Sequence, residues 1–313
     1  MTEPIAYCRG EWTPVSRAGV PLADAGFVLG ATITEQLRTF DGKLFLWDEH
    51  VARMRRSLAS LRLDEQIDFA QVRAIADRVV EHNFPLLPTG GDLGVAVLIT
   101  PGWYPAFSEG VAPPGASGPH LYVHSYPLPF ARWAKSYDDG VSVISTLVAH
   151  PDSDALPRHI KSRSRLHYHL ADLDANRRVA GARALWLDAD GFVLETSTSN
   201  IVLCSEKPGH APHLVIPPRA DVLPGISLGH VLRLAHELGW PVSERRISTA
   251  EFAAAGEAWA TSTPFCALPI TSFNERPIGN ARPGPRFQEL IAAWSRHLNL
   301  DVIAQARTIA GVS

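Results

Sequence analysis

The chain of 313 residues has little cysteine: Cys8, Cys204 and Cys266 lie too far apart to form a disulfide framework or a metal-binding pair. No apolar run approaches the roughly 18 residues of a membrane span, so no membrane partner is expected. Charge of one sign is also lacking. The formal net charge is only −3, which leaves no broad basic field to attract nucleic acid or an anionic membrane. Internal repeats and low-complexity tracts are absent. The opening MTEPIAYCRGEW has no charged-then-apolar signal pattern, and with so few cysteines the expected compartment is the cytoplasm. There are 13 histidines but no HExxH pattern. His120 and His124 sit four apart in a strand-like segment, too far to share a metal, and the two-residue spacing of His167 and His169 is wrong for one helical face. No metal is expected.

What is present is enough apolar residue, 46% of the chain, for a large core and two domains of about 100–200 residues each. Residues 5–11 read as a strand into a turn. Residues 33–40 and 43–47 read as a hairpin joined by Asp41-Gly42. A helix follows over 48–61, with Asp48 as its cap and Val51, Met54, Leu58 and Leu61 at helical spacing. A second helix over 69–83 stops near Pro85, and strands follow at 94–100 and 119–125 around a Pro/Gly-rich loop. The two prolines of segment 126–130 suit a linker. Beyond it come a strand over 141–146, a helix over 164–178 with Leu166, Leu170 and Leu173 on one stripe, and a hairpin of 182–187 with 192–195. Further strands are expected at 200–204, 259–261 and 269–273. Helices are expected from Pro224-Gly225-Ile226-Ser227 to Leu238 and over 285–298. The sum is mixed α/β, rich in hairpins, unlike a regular doubly wound sheet. The expected domains are 1–126 and 132–313, joined by a linker at 127–131.

Two segments carry chemistry. His159-Ile160-Lys161-Ser162-Arg163-Ser164-Arg165 crowds one lysine with cations, which pushes it toward its neutral, nucleophilic form. Leu194-Glu195-Thr196-Ser197-Thr198-Ser199-Asn200 sets a glutamate among apolar and hydroxyl residues, where it can hold a buried cation such as a pyridinium. A covalently reacting lysine and an acid on a ring nitrogen are what a pyridoxal phosphate enzyme needs. On the residues alone, Lys161 reads first as a solvated member of a basic edge strand, Glu195 also fits a strand-end carboxylate, and Arg53 fits an i,i+4 surface pair with Glu49.

The order of motifs changes that balance. Ala25-Gly26-Phe27, Glu35-Gln36-Leu37-Arg38, Asp41-Gly42-Lys43-Leu44-Phe45, His50-Val51-Ala52-Arg53, the Lys161 segment, Glu195 to Asn200, Pro224 to Ser227 and 257–264 follow one another as they do in one family. The chain resembles the class IV, or fold type IV, pyridoxal phosphate enzymes: branched-chain aminotransferases, D-amino acid aminotransferases and aminodeoxychorismate lyase. The resemblance covers nearly the whole chain. It implies an α/β (α+β) fold of two domains, with pyridoxal 5′-phosphate in the cleft between them, and a homodimer.

It further implies Lys161 as the Schiff-base lysine, carried by the C-terminal domain, and as catalytic acid and base. Glu195 would stand on the pyridine nitrogen with Asn200 supporting it. Arg53, Gly225, Ile226, Ser227, Ser262 and Thr263 would form the phosphate cup, and Arg165 would hold the phenolate oxygen. The substrate side departs from the family. Leu29 and Thr34 stand where many members have aromatics, and the carboxylate-trapping arginine and histidine of the D-amino acid enzymes are missing near Ala106 and Ser108. The substrate candidates are therefore Arg38, Leu29, Thr34 and Arg163; an inward strand arginine such as Arg38 needs an anion. The implied activity is amino transfer between an amino acid, with D-amino acids and primary amines as candidate donors, and a 2-oxo acid. A lyase like aminodeoxychorismate lyase is the alternative, favoured by Arg165. A non-enzymatic basic-stretch binder is supported only by residues 159–165 and opposed by the net acidic charge.

Overall fold

The computed structural model describes residues 3–113, 117–151, 156–205 and 211–312. Contacts gather the chain into two compact units, Met1–Leu128 with His159–Arg165, and Pro129–Arg158 with Leu166–Ser313. Lys161 thus belongs with the first unit and not, as expected from sequence, with the C-terminal domain. The reason is backbone pairing: Ser162 bridges Ile33 in a strand of the first unit.

In the first unit β1 (Ile5–Cys8) and β2 (Glu11–Pro14) form a hairpin. α1 (Ala25–Val28) is a single turn capped by Asp24. β3 (Ile33–Phe40) and β4 (Lys43–Leu44) are joined by Asp41-Gly42, with φ of 50° and 70°. Two positive φ values make the turn whose twist matches its strands, which is why the Asp-Gly pair signals a hairpin. β4 ends earlier than expected because Leu46 adopts a left-handed φ of 53° and α2 (Trp47–Ala59) starts at once. Asp48 is therefore not the cap. It lies with Glu49 in the first helical turn, where negative charge complements the helix dipole. α3 (Phe69–Asn83) is capped by Asp68, whose carboxylate accepts from the N–H groups of Ala70 and Gln71.

With β5 (Leu93–Thr100), α4 (Pro105–Ser108) and β6 (His120–Pro127), the strands make one antiparallel sheet in the order β2-β1-β6-β5-β3-β4. Helices α2 and α3 bury Met54, Leu58, Val72, Ala76 and Val79 against Ile33, Leu37, Val95 and Val97 of the sheet. Each such larger side chain contributes about 1.5–3 kcal/mol by leaving water. Asn83 fastens α3 to the sheet: its side chain exchanges two 2.8 Å hydrogen bonds with the backbone of Ile5 and donates a third to Ser125.

The second unit runs through α5 (Ser136–Asp139), β7 (Val141–Ser145), α6 (Leu166–Arg178), β8 (Arg183–Leu187), β9 (Val193–Thr196), β10 (Asn200–Ser205), β11 (His213–Ile216), α7 (Ile226–Glu237), β12 (Val242–Glu244), α8 (Thr249–Ala253), β13 (Glu257–Ser262), β14 (Cys266–Phe273), β15 (Arg276–Pro277), α9 (Pro285–Leu298) and α10 (Val302–Ala310). Its sheet follows β12-β11-β10-β13-β14-β7-β8-β9. The pair Asn200–Glu195 then joins β10 back to β9, so six strands close on themselves. α9 has its expected bounds and buries Phe287, Leu290, Ile291 and Trp294.

α6 corrects an expectation. Its buried residues are Ala171 and Ala175, one turn apart, set against Ile144, Ala184 and Trp186. The leucine stripe faces outward: Leu166, Leu170 and Leu173 are 69%, 46% and 43% exposed. Small residues let the helix approach the sheet closely, and the leucines are left on the far side. Among the described residues no helix is long and apolar enough to cross a membrane.

Candidate active site

The lysine segment is pinned by its backbone. Thr34 N–H donates to the Lys161 carbonyl at 2.9 Å and Arg163 N–H donates to the Thr32 carbonyl at 2.9 Å, flanking the Ile33–Ser162 bridge. Lys161 N–H donates to Ser57 Oγ of α2 at 3.2 Å, and Ser164 Oγ donates to the Gly30 carbonyl at 2.8 Å. The Lys161 side chain is partly buried. Desolvation, then the charge of Arg53, lowers its pKa to about 7; Glu35 works the other way, and Arg165 and Arg163 add to the depression. Near neutral pH about half such amines are uncharged, and the neutral amine is the nucleophile and base.

Arg53 lies on the buried face of α2. Its guanidinium grips Glu35 of β3 from Nε to Oε1 at 2.8 Å and from Nη2 to Oε2 at 2.7 Å, and His50 Nδ1 reaches the same Oε2 at 2.6 Å. Arg53 is thus a buried partner of Glu35, where its spacing from Glu49 suggested a surface residue. Burial opposes the Glu35 charge, but Arg53 and His50 overcome it and hold the carboxyl at about 2. Desolvation, with Arg53 and Lys161, pushes His50 down against the pull of Glu35. The sequence alone gives Glu35 and His50 no role. Their signal was a helical His-x-x-Arg facing a strand glutamate.

On the opposite face of β3, Arg38 is buried with its charge 3.6 Å from Asp92 and its guanidinium 3.7 Å above the Phe40 ring. The anion that an inward arginine requires is therefore Asp92, so the substrate carboxylate expected at Arg38 has a protein rival. Thr34 is buried on this face and its Oγ1 has no partner among the described residues. Leu29 is exposed. Arg163 and Arg165 follow Lys161 in the same segment; desolvation, then Arg165, push the Arg163 guanidinium pKa down.

The second unit holds Glu195 at the end of β9. It is buried, with Oε1 accepting from Tyr168 Oη at 3.1 Å and Oε2 accepting from Asn200 Nδ2 at 3.2 Å and from Leu223 N–H at 3.1 Å. Asn200 Nδ2 also donates to the Leu223 carbonyl at 2.8 Å. Gly225 lies close beside it: an added Cβ would meet Asn200 Oδ1, so a larger residue there must push that amide aside. Gly225 caps α7 without a side-chain hydrogen bond, so the first N–H groups, at Ile226 and the buried Ser227, can serve an anion. Ser262 and Thr263 sit where β13 turns into β14, both partly buried. Next to them Thr261 is buried with its hydroxyl unpartnered, opposite Asn200 across the strands. Nothing in the sequence alone marks Tyr168 or Thr261. Tyr168 was hidden in a helix whose leucines looked like its core stripe.

A family model for class IV aminotransferases matches residues 32–273. The chain belongs to the class IV aminotransferases. Among curated class IV relatives, the branched-chain-amino-acid aminotransferase-like protein 1 of Arabidopsis thaliana is 29% identical over 298 residues, 93% of this chain and 50% of that protein. The chain thus spans half the length of that relative. The D-alanine aminotransferase of Bacillus licheniformis is 28% identical over 86% of this chain and 88% of its own. An aminodeoxychorismate lyase of Bacillus subtilis (strain 168) is 22% identical over 88% of each. The fold matches the Escherichia coli branched-chain amino acid aminotransferase with a TM-score of 0.82 at 20% identity, covering 95% and 94% of the two chains. The weight lies with aminotransferases over the lyase, and membership sets aside the non-enzymatic binder.

Class IV aminotransferases use pyridoxal 5′-phosphate. The residues present suit that cofactor. They offer an amine near pKa 7, a buried carboxylate held by three donors, and hydroxyl and N–H groups at a helix start that no side chain caps.

Proposed function

We propose that this protein is a pyridoxal phosphate-dependent aminotransferase that moves an amino group between an amino acid and a 2-oxo acid, with D-amino acids and primary amines as candidate donors. The observation that carries the proposal is Lys161: its backbone is pinned on two sides while its surroundings lower the amine to about 7. Lys161 would bond the cofactor aldehyde. Glu195 would hold a proton on the ring nitrogen, kept in place by Asn200 and Tyr168. Arg53, Gly225, Ile226, Ser227, Ser262 and Thr263 would bind the phosphate, and Arg165 the phenolic oxygen. When bound, the cofactor supplies an electron sink for charge developing at the substrate Cα. Lys161 Nζ, once the substrate amine has displaced it from the aldehyde carbon and left it neutral, would take the Cα proton and return it as acid.

The homodimer belongs to this reading. The outward leucines of α6 and the exposed Leu22, Phe27 and Phe107 of the first unit are apolar surface that a second copy would cover. A cytoplasmic location is likewise inferred, from three free cysteines.

Lys161→Ala should abolish both the visible absorbance of the bound cofactor and amino transfer; full activity in that variant ends the proposal. An amino donor alone should bleach the band stoichiometrically. A band that returns while pyruvate is released would mean the lyase, which Arg165 and the Bacillus subtilis relative favour. Sizing should give twice the chain mass.

A further inference from the structure

Four positive side chains gather in the first unit near Lys161 and β3, besides Lys161 itself, and all but one have a protein partner. Arg53 is forked on Glu35 and Arg38 faces Asp92. Arg165 also has its own interactions. Arg163 makes only a backbone bond: among the described residues its guanidinium has no hydrogen bond and no ion pair.

Its placement is specific. The Ile33–Ser162 bridge is antiparallel, so Arg163 lies opposite Thr32 and Lys161 opposite Thr34, with Ser162 turned the other way. The same face of the sheet carries Gln36 and, across the strands, His124 and Tyr126. Tyr126 Oη donates to Gln36 Oε1 at 2.9 Å, its ring lying over Gly94, where a Cβ would strike it. The charge of Arg163 is felt at His124 and Tyr126. On this face the buried Thr34 hydroxyl is unpartnered. The face therefore offers an unpaired cation and an orphaned hydroxyl, while its two acids are already engaged, Asp92 by Arg38 and Asp24 by His120, Tyr122 and Thr100. Residues two apart in extended chain have Cα atoms about 6.5 Å apart, so the side chains of Arg163 and Lys161 leave the backbone as neighbours on one face.

We propose that Arg163, assisted by the Thr34 hydroxyl, is the anchor for the substrate carboxylate, which makes amino acids and 2-oxo acids the substrate class in preference to primary amines. The proposal rests on the aminotransferase reading above. A carboxylate is the group that a planar guanidinium binds through paired hydrogen bonds. A substrate whose Cα–H meets Lys161 would have Arg163 available to its carboxylate on the same face. An amine lacking the carboxylate leaves Arg163 as it is.

The test uses cofactor-loaded wild-type protein, Arg163→Leu and Arg163→Lys. Each is measured with an amino acid donor, with 1-phenylethylamine, and for binding of 4-methylvalerate, which has a carboxylate but no amine. Arg163→Leu should weaken 4-methylvalerate binding roughly 10- to 100-fold, the range for a hydrogen bond to a charged group. It should lower kcat/KM for the amino acid relative to the amine by a similar factor, with Arg163→Lys recovering part. Unchanged carboxylate affinity, or equal losses for acid and amine, would overturn the proposal. Cofactor absorbance separates this from failure of the aminotransferase reading: if wild type takes up no cofactor the reading falls, whereas a loaded Arg163→Leu enzyme with undiminished acid binding sinks the anchor alone.

Discussion

Tyr168 Oη donates to Glu195 Oε1 at 3.1 Å. The phenol reaches this carboxylate from α6, a helix that otherwise buries only two alanines, and its ring packs edge-on against Trp186 at 4.8 Å and beside His167 at 4.1 Å. An aromatic cluster thus holds a hydroxyl on the acid that would face the cofactor nitrogen. Tyr168→Phe keeps the packing and deletes one hydrogen bond to a charged group, worth about 1.5–3 kcal/mol. The expected result is weaker pyridoxal phosphate binding, with a thermal midpoint within a few degrees of wild type. Equilibrium dialysis checks it, and an unchanged dissociation constant would show the bond to be incidental.

Lys161 gives a pH prediction. Its amine sits at about 7 in the folded protein against an ordinary 10.5, so between these values the unfolded chain binds more protons. Stability of the cofactor-free protein should therefore rise with pH across that window, more steeply than in Lys161→Met. Cofactor uptake should follow the neutral amine and reach half its limiting rate near pH 7. A stopped-flow pH series that is flat from 6 to 8 would contradict it.

Glu35 is the shared anion of Arg53 and His50. Glu35→Gln removes the negative partner of a buried cation, and losing one member of a buried pair costs about 3–5 kcal/mol. Urea titration should show that loss at neutral pH. The wild-type contribution is complete above the ordinary value of 4.5 and fades as pH falls toward 2, so the difference between the two proteins should shrink in acid.

Gly225→Ala tests the close approach at the start of α7. The new methyl must displace Asn200 Oδ1, and with it one donor to Glu195. Cofactor affinity should fall while the far-ultraviolet circular dichroism stays unchanged. Retained affinity would mean that Asn200 has room to move without consequence.

Local signals carried much of the structure. The Asp41-Gly42 hairpin, the 69–83 helix and the 285–298 helix stand as expected, because turn chemistry and helical spacing act within a few residues. Long-range partners were not legible. Nothing near Arg38 in the chain announces Asp92, and the Glu35–Arg53–His50 cluster joins a strand to a helix. The α6 leucines misled because periodicity shows that a stripe exists but not which surface covers it, and here two alanines meet the sheet. The Asn200–Glu195 rung that closes the strands is likewise a tertiary event.

Residues His159–Arg165 return to the first unit while the chain on either side belongs to the second. No single cut can therefore release either unit whole. A fragment ending at Leu128 would leave Thr32 and Thr34 without the rung that Lys161 and Arg163 provide. A chimaera built from this chain would have to carry seven internal residues along with the amino-terminal half, and the reactive amine travels with that graft.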